Sequence, residues 1–356
     1  SVAAFTGILV AISMQEWQFP WPLAILFGLA IGVGIGAWQG FWVAYVGVPA
    51  FIVTLAGMLI FRGGNQFIGN ANTVPVPDAF TFIGAGYLPE VGPNTGYNNL
   101  TLLLGIGLAV VVAVREWRLR QKQAVMGSER APLWVSVLKV VLLGAIILIA
   151  AFLFAGGRVG TSFPVSGIIL GVLVLVYAFI TRNTITGRHI YAIGGNKAAA
   201  ELSGVKSRRV DFLVMMNMSV LAALAGMIFV ARSAASGPQD GIGWELDAIA
   251  AVFIGGAAVS GGIGTVIGSI IGGLVMGLLN NGLQLLGVGV DLVQIIKGLV
   301  LLVAVGVDVY NKSQGRPSFS GILMRGRTKA GLPDVPAVVP SAGTSDTTRP
   351  GPTTPN

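Results

Sequence analysis

Charged and amide side chains interrupt the long apolar segments of this sequence at a few positions. Asp247 and Lys297 stand in two of these segments, and Asn65 and Asn281 stand in two others. If the segments cross a bilayer, a centrally placed Lys or Asp costs about 2.5–3.5 kcal/mol on insertion scales, so each such residue is a candidate for function. Lys297 either pairs with Asp247 or Glu245 or extends to the membrane interface. The asparagines either hydrogen-bond between helices or line a polar pathway for a solute.

Three aromatic side chains, Trp38, Trp42 and Phe61, are candidates for contact with a solute in transit. An aromatic ring offers a flat apolar face on which the apolar side of a ring-shaped solute can stack. Aromatic residues are also common at membrane interfaces and between packed helices, so anchoring or packing is the alternative for all three. With the polar residues Asn65, Asp247, Asn281 and Lys297 they form the predicted translocation pathway.

The sequence offers little material for catalysis. It has no cysteine and a single histidine, His189, so it lacks thiolate ligands, a cysteine nucleophile and a histidine cluster for a metal. It contains no Gly-x-x-x-x-Gly-Lys-Ser/Thr motif, so we do not expect it to bind ATP through a P-loop. We therefore predict a chain that is not an enzyme and that holds neither a metal nor a cofactor.

The composition is that of a membrane protein. Of the 356 residues, 54% are hydrophobic and 10% are charged, and the mean hydropathy is +0.81. Soluble domains carry about 25% charged residues, so a chain this apolar cannot hide its surface in a water-soluble core. The net charge of +8 reflects basic residues between and after the apolar segments, which argues against nucleic acid as a partner. We predict an all-α polytopic membrane protein.

The apolar segments predict the helices that must position the candidate residues. A helix needs about 20 apolar residues to cross a bilayer. Residues 1–13 and 245–256 are shorter, which predicts partial helices, and the abrupt apolar start leads us to expect a missing upstream part. Residues 1–310 form the predicted transmembrane domain, and residues 311–356, rich in Pro, Ser and Thr, form a predicted disordered tail. The predicted spans are 21–46, 51–69 (interrupted at 62–65), 100–114, 133–154, 165–180, 212–230, 265–286 and 292–309.

The basic residues are distributed asymmetrically between the loops. The segments 115–132, 182–211 and 311–356 hold 5, 6 and 6 Lys or Arg residues, which together make 17 of the 22 in the chain. Cytoplasmic loops of membrane proteins carry such an excess. We therefore predict that these three segments are cytoplasmic and that the loop around Arg158 lies on the opposite side.

An internal repeat links the two ends of the chain. Gln39-Gly40 and a following Val-Gly-Val turn stand 242 residues before Asn281-Gly282 and a second Val-Gly-Val turn. The charge distribution places the first turn inside and the second outside. Inverted repeats of this kind, together with short broken helices, are typical of transporters.

The longest polar segment, 182–211, contains a short run of helix-forming residues at 196–202. Gly194-Gly195 precedes the run and Ser203-Gly204 follows it, which predicts one or two helical turns between breakers. A small helix on the cytoplasmic face would offer a binding surface to a soluble partner. The alternative is an ordinary basic loop.

Several blocks of this sequence resemble the membrane permease of bacterial sugar ABC importers, the group of ribose, xylose, galactose and autoinducer-2 permeases. The blocks are GRHIYAIGGNKAAAELSGV (187–205), ELDAIAAVFIGGAAVSGGIGTVIGSIIGG (245–273), LLNNGLQLLGV (278–288) and IIKGLVLLVAV (295–305). The resemblance covers residues 1 to about 312, and the block 38–63 is most similar to the D-xylose permease branch. The family usually has Asp-Leu-Ser-Val-Gly-Ser where this chain begins, and the tail is not part of its pattern.

The resemblance implies an ATP-driven importer of a monosaccharide, D-xylose or a related pentose, that works by alternating access in the bacterial inner membrane. It implies about ten transmembrane helices in the full protein, arranged as in the larger vitamin-B12-type importers with inverted repeats and broken helices. The implied partners are a second permease, cytosolic ATPase subunits that bind ATP and magnesium, and a periplasmic or lipid-anchored sugar-binding protein. An ion-coupled secondary transporter of a small polar solute remains the alternative.

The resemblance also assigns a role to the polar segment. Residues 195–205 fall where the family has its cytoplasmic coupling helix, the element that contacts the ATPase. The residues expected to couple are Gly195, Asn196, Ala199, Ala200, Glu201, Ser203 and Gly204. Replacement of residues 201–204 is therefore expected to weaken recruitment of the ATPase.

Overall fold

The computed structural model describes residues 1–93, 96–125, 132–156, 162–258 and 261–313. Almost all regular structure in these residues is helical. Two two-residue strands, β1 (Val74–Pro75) and β2 (Ala235–Ser236), pair antiparallel, and a π-helical turn spans Trp42–Val46. The helices are α1 (Val2–Gln15), α2 (Trp21–Phe41), α3 (Ala50–Ile68), α4 (Asp78–Ala85), α5 (Asn99–Val125), α6 (Leu133–Ala155), α7 (Val165–Asn183), α8 (Ile185–Gly195), α9 (Lys197–Leu202), α10 (Ser207–Ser233), α11 (Trp244–Ile254), α12 (Val266–Leu285) and α13 (Val290–Ser313).

Seven helices in the described ranges are long and apolar enough to cross a membrane: α2 with its π-helical turn, α3, α5, α6, α7, α10 and α12. The apolar helices α1 and α11 have only 14 and 11 residues, as their short sequence segments predict. Large apolar side chains are exposed along the long helices, as a lipid-facing surface requires. The prediction of an all-α polytopic membrane protein is confirmed.

Helix α10 is the centre of the packing, with α2, α1 and α4 against it. Glycines at four-residue steps along α2 let the two helix backbones approach closely. A Cβ atom on Gly32 would lie 2.8 Å from the Cβ of Ala223, and one on Gly36 would lie 2.5 Å from the Cα of Met216. Small residues commonly allow such contact between membrane helices. The glycine stripe of α2 is therefore a packing surface.

Two groups of three helices share one order, a short helix followed by two longer ones. They are α1–α3 and α11–α13, and their first residues, Val2 and Trp244, are 242 positions apart (244 − 2). In both groups the short helix contacts both long helices. This arrangement supports the repeat seen in the sequence, whose inverted orientation stays a prediction from the charges.

The structure differs from the sequence expectations in three places. Residues 70–99, expected to be a loop, contain β1 and α4, and residues 185–195 form α8. Helix α3 continues through 62–65, where an interruption was expected. Gly194 and Gly195 are the last two residues of α8, so the expected break before the short helix falls at Asn196. Close contact with the loop before α12 requires a small residue at Gly194. Arg158 and most of the predicted tail, from residue 314 onward, lie outside the described residues.

Candidate functional site

The predicted coupling segment forms a sharp corner between α8 and α9. Asn196 has an extended backbone that ends α8, and its Oδ1 atom accepts a hydrogen bond from the Ala199 N–H at 3.0 Å. This is the N-terminal cap that an Asn at this position favours. At the other end, Gly204 takes a positive φ of 84°, which glycine adopts without strain. The sequence therefore fixes both ends of this six-residue helix.

Polar contacts fasten α9 to the start of α10. The Lys197 Nζ lies 2.7 Å from the Asp211 Oδ2, and the Ser207 hydroxyl donates to the Glu201 carboxylate. Ser203 Oγ closes the helix by donating to the Ala199 carbonyl at 2.9 Å. Surface ion pairs contribute little to stability, about 0–1 kcal/mol each, but together these contacts define the orientation of α9.

Helix α9 has an inner and an outer face. Ala200 is buried at 5% exposure, whereas Leu202 is 92% exposed. Exposure of this leucine side chain to water does not stabilise the fold, so Leu202 is a candidate anchor for a partner. The sequence prediction placed seven coupling residues in this corner but not Leu202, which its exposure in the structure distinguishes.

Helix α8 connects the corner to the membrane helices. The Tyr191 hydroxyl donates a hydrogen bond of 2.8 Å to the Gly264 carbonyl, in the loop before α12. A Cβ on Gly194 would lie 2.5 Å from the backbone nitrogen of Gly262 in the same loop. Movement of the corner would therefore push directly on the start of α12.

A second set of candidate residues surrounds a cavity of about 390 Å³ between α3, α11, α12 and α13. Lys297 Nζ lies 2.9 Å from Asp247 Oδ2, and Asn280 Nδ2 donates to the same oxygen at 3.2 Å. Arg62 Nη2 lies 3.5 Å from Glu245 Oε1. Of the alternatives for Lys297, pairing with Asp247 is the one observed.

The other predicted pathway residues lie outside the lining of this cavity. Trp38 and Phe61 pack edge to face with ring centroids 5.9 Å apart, and Trp42 packs in the same way near Phe41 at 6.0 Å. Asn65 Nδ2 donates to two carbonyls of the loop before α11, each at 3.3 Å. Asn281 is exposed on α12. Their role in a pathway stays a prediction.

Sequence reasoning did not include Arg62, Glu245, Asn280 and Gln294 among the predicted site residues. Arg62, Glu245 and Gln294 line the cavity, and Asn280 hydrogen-bonds to Asp247 in its lining. The signal for Arg62 was present, because it is a charged residue inside an apolar segment, but its partner lies 183 positions away. In the part of the chain that the structure describes, no three His, Cys, Asp or Glu side chains are placed to share a metal ion.

Comparison with known proteins identifies the family. A family model described as "Branched-chain amino acid transport system / permease component" matches residues 100–305. The xylose transport system permease protein XylH of Haemophilus influenzae is 40% identical over 318 residues, which are 88% of this chain and 82% of that protein. XylH of Escherichia coli is 39% identical over 316 residues, covering 88% and 78% of the two chains.

A ribose permease is also similar. The ribose import permease protein RbsC of Escherichia coli is 34% identical over 314 residues, covering 88% of this chain and 76% of RbsC. No solved structure matches the chain. The family match covers more than half of the sequence, and each of these relatives aligns with most of it. The chain therefore belongs to this family of transport-system permeases, within which these relatives are sugar permeases.

Proposed function

We propose that this chain is the membrane permease subunit of an ABC importer that brings a monosaccharide, with D-xylose as the first candidate, into the bacterial cytoplasm. The observation that carries the proposal is the α8–α9 corner, a capped helix whose exposed Leu202 projects away from a polar, anchored base. Relatives named as xylose permeases, at 39–40% identity, support D-xylose over ribose, whose named permease is 34% identical.

The proposed partners follow from the family. In an ABC importer ATP and magnesium are bound by separate ATPase subunits, which we propose dock on the corner, and the lack of a P-loop motif in this chain is consistent with that division. A second permease and a periplasmic or lipid-anchored sugar-binding protein complete the proposed importer, in the inner membrane. The excess of basic residues supports a cytoplasmic position for segment 182–211 and for the tail.

The contacts suggest how movement of an ATPase reaches the pathway. The corner is joined to α10 by the Lys197–Asp211 pair and to the loop before α12 by Tyr191. Helix α12 in turn packs closely on α11, where a Cβ on Gly272 would collide with the Ala251 carbonyl. Closure of the ATPase subunits would thus shift α12 and α11 together, as alternating access requires.

The test is uptake by the reconstituted importer. Proteoliposomes with the permease, the ATPase and the binding protein are given labelled D-xylose or D-ribose, with ATP inside. We expect D-xylose uptake that stops when the P-loop lysine of the ATPase is replaced. Uptake that continues without an active ATPase and stops when ion gradients are collapsed would favour the ion-coupled alternative and refute the proposal.

A further inference from the structure

We propose that the cavity between α3, α11, α12 and α13 is a solute-contact site in the translocation pathway, built for an uncharged polyhydroxy compound. This inference rests on the proposed function, because it names a place within the permease where the transported sugar makes hydrogen bonds. The volume of about 390 Å³ lies within the range of about 300–1,000 Å³ that is typical of small-molecule sites.

The charges around the cavity cancel. Lys297 pairs with Asp247 and Arg62 pairs with Glu245, so the two cations and two anions form two neutral pairs. Such a site is strongly polar, but its zero net charge offers no net attraction to an inorganic ion. An uncharged polar solute avoids the cost of losing hydration around a full charge.

Three oxygen atoms at this site are shielded and lack donors. Glu245 Oε2, Asp247 Oδ1 and Asn280 Oδ1 make no hydrogen bond to any residue that the structure describes. Buried acceptors without a partner are rare in native proteins and call for an explanation. These oxygens have almost no exposed surface, so a sugar hydroxyl would reach them only after a side-chain rotation. The ammonium of Lys297 is partly exposed, has three donors and uses one for Asp247, so it can donate to a sugar hydroxyl as it stands.

Lys297 and Arg62 lie at similar distances from the ends of their helices. Lys297 is seven residues after the start of α13 and Arg62 is six residues before the end of α3, about 9 to 11 Å from each helix end at 1.5 Å per residue. The charge distribution assigns both helix ends to the outer side. The cavity is therefore placed where a solute released by an external binding protein would arrive.

The site also joins the two repeated groups of helices. Arg62 belongs to α3 of the first group, whereas Glu245, Asp247 and Lys297 belong to the second. Transporters built from repeats commonly bind their solutes at the interface between the repeats. The Arg62–Glu245 pair, at 3.5 Å, crosses this interface.

The absence of cysteine in the sequence permits a direct test in the complete importer. Gln294→Cys places a thiol in the cavity lining, and a membrane-impermeant thiosulfonate reagent measures its accessibility. Leu299→Cys on the same helix is the control, because Leu299 is exposed outside the cavity lining on an apolar surface. We expect only Gln294→Cys to react. D-xylose at ten times its apparent dissociation constant should slow the reaction about tenfold, whereas L-leucine should not.

A second pair of variants tests the hydrogen bonds. Asn280→Leu should abolish the protection by D-xylose, whereas Asn217→Leu, a membrane asparagine that bonds Tyr177 away from the cavity, should preserve it. The inference is overturned if the sugar never slows the reaction at Gln294→Cys, or if L-leucine protects equally. ATPase-dependent uptake without protection would refute the cavity alone, whereas protection without ATPase-dependent uptake would refute the proposed importer but not the site.

Discussion

Replacement of Leu202 by Asp tests whether the α8–α9 corner binds an ATPase. The side chain is 92% exposed, so the change removes almost no contact within the permease. Helix α9 keeps its Asn196 cap, its Lys197–Asp211 pair and its buried Ala200. The permease should therefore reach the membrane at its normal level and unfold at its normal temperature.

The expected loss of affinity follows from the area that Leu202 would bury in a partner. Full burial of a leucine side chain contributes about 1.5–3 kcal/mol. Since about 1.4 kcal/mol corresponds to a factor of ten, Leu202→Ala should weaken ATPase binding about ten- to a hundredfold. Leu202→Asp should weaken it further, because a carboxylate would have to lose its hydration in the interface.

The assay is binding of purified ATPase to the permease in nanodiscs, followed by sugar uptake with the same variants. The matched control is Ile185→Asp, since Ile185 is also a large apolar side chain in the polar segment, 61% exposed at the start of α8. The reasoning is refuted if Leu202→Asp binds the ATPase normally, or if Ile185→Asp weakens binding by the same factor.

Five further variants, in three sets, test packing, charge and coupling. Gly36→Ala should lower the free energy of unfolding by about 1–3 kcal/mol, because the added Cβ would meet the backbone of α10. Gly34→Ala is the control: its Cβ would have nothing within 4 Å, so the change should stabilise the helix by up to about 1 kcal/mol. Thermal unfolding in detergent measures both. Asp247→Asn should destabilise the protein by up to about 3–5 kcal/mol, because it leaves Lys297 unpaired. The double variant Asp247→Asn with Lys297→Met should recover the unfolding temperature but not sugar uptake. Tyr191→Phe removes one hydrogen bond, about 1 kcal/mol, and should lower the sugar transported per ATP hydrolysed while ATPase binding stays unchanged.

The sequence was sufficient to predict the parts of the fold that depend on local composition. Apolar runs predicted the long helices, and the helix-forming run 196–202 between two glycine-containing breakers predicted the bounds of α9 to within one residue. The four-residue spacing of the glycines in α2 is likewise a local pattern, and it coincides with the packed face. Each of these signals lies within a few neighbouring residues, so it can be recognised without knowledge of the tertiary structure.

Features that depend on distant segments could not be predicted in this way. Arg62 and Glu245 are 183 positions apart, and only the tertiary structure brings these two side chains of α3 and α11 together. The two glycines at the end of α8 were interpreted as breakers because glycine disfavours helix. In the structure, Gly194 is a contact residue for the loop of Gly262, which no local pattern reveals.

The two repeated groups of helices show that the polar cluster is not a requirement of the fold. Phe5 and Trp38 stand 242 positions before Asp247 and Asn280 (247 − 5 and 280 − 38). In the first group these two rings pack on Phe61 of the third helix, with centroids 5.3 and 5.9 Å apart. The short helix and the first long helix of this group are thus joined to the third by apolar contact, although at Phe61 and not at Leu55, which stands 242 positions before Lys297. Apolar contact is often as stable as an ion pair or more so. Because the second group instead carries an ion pair and an amide, at a cost in desolvation, we infer that its polarity serves a solute and not the assembly of the helices.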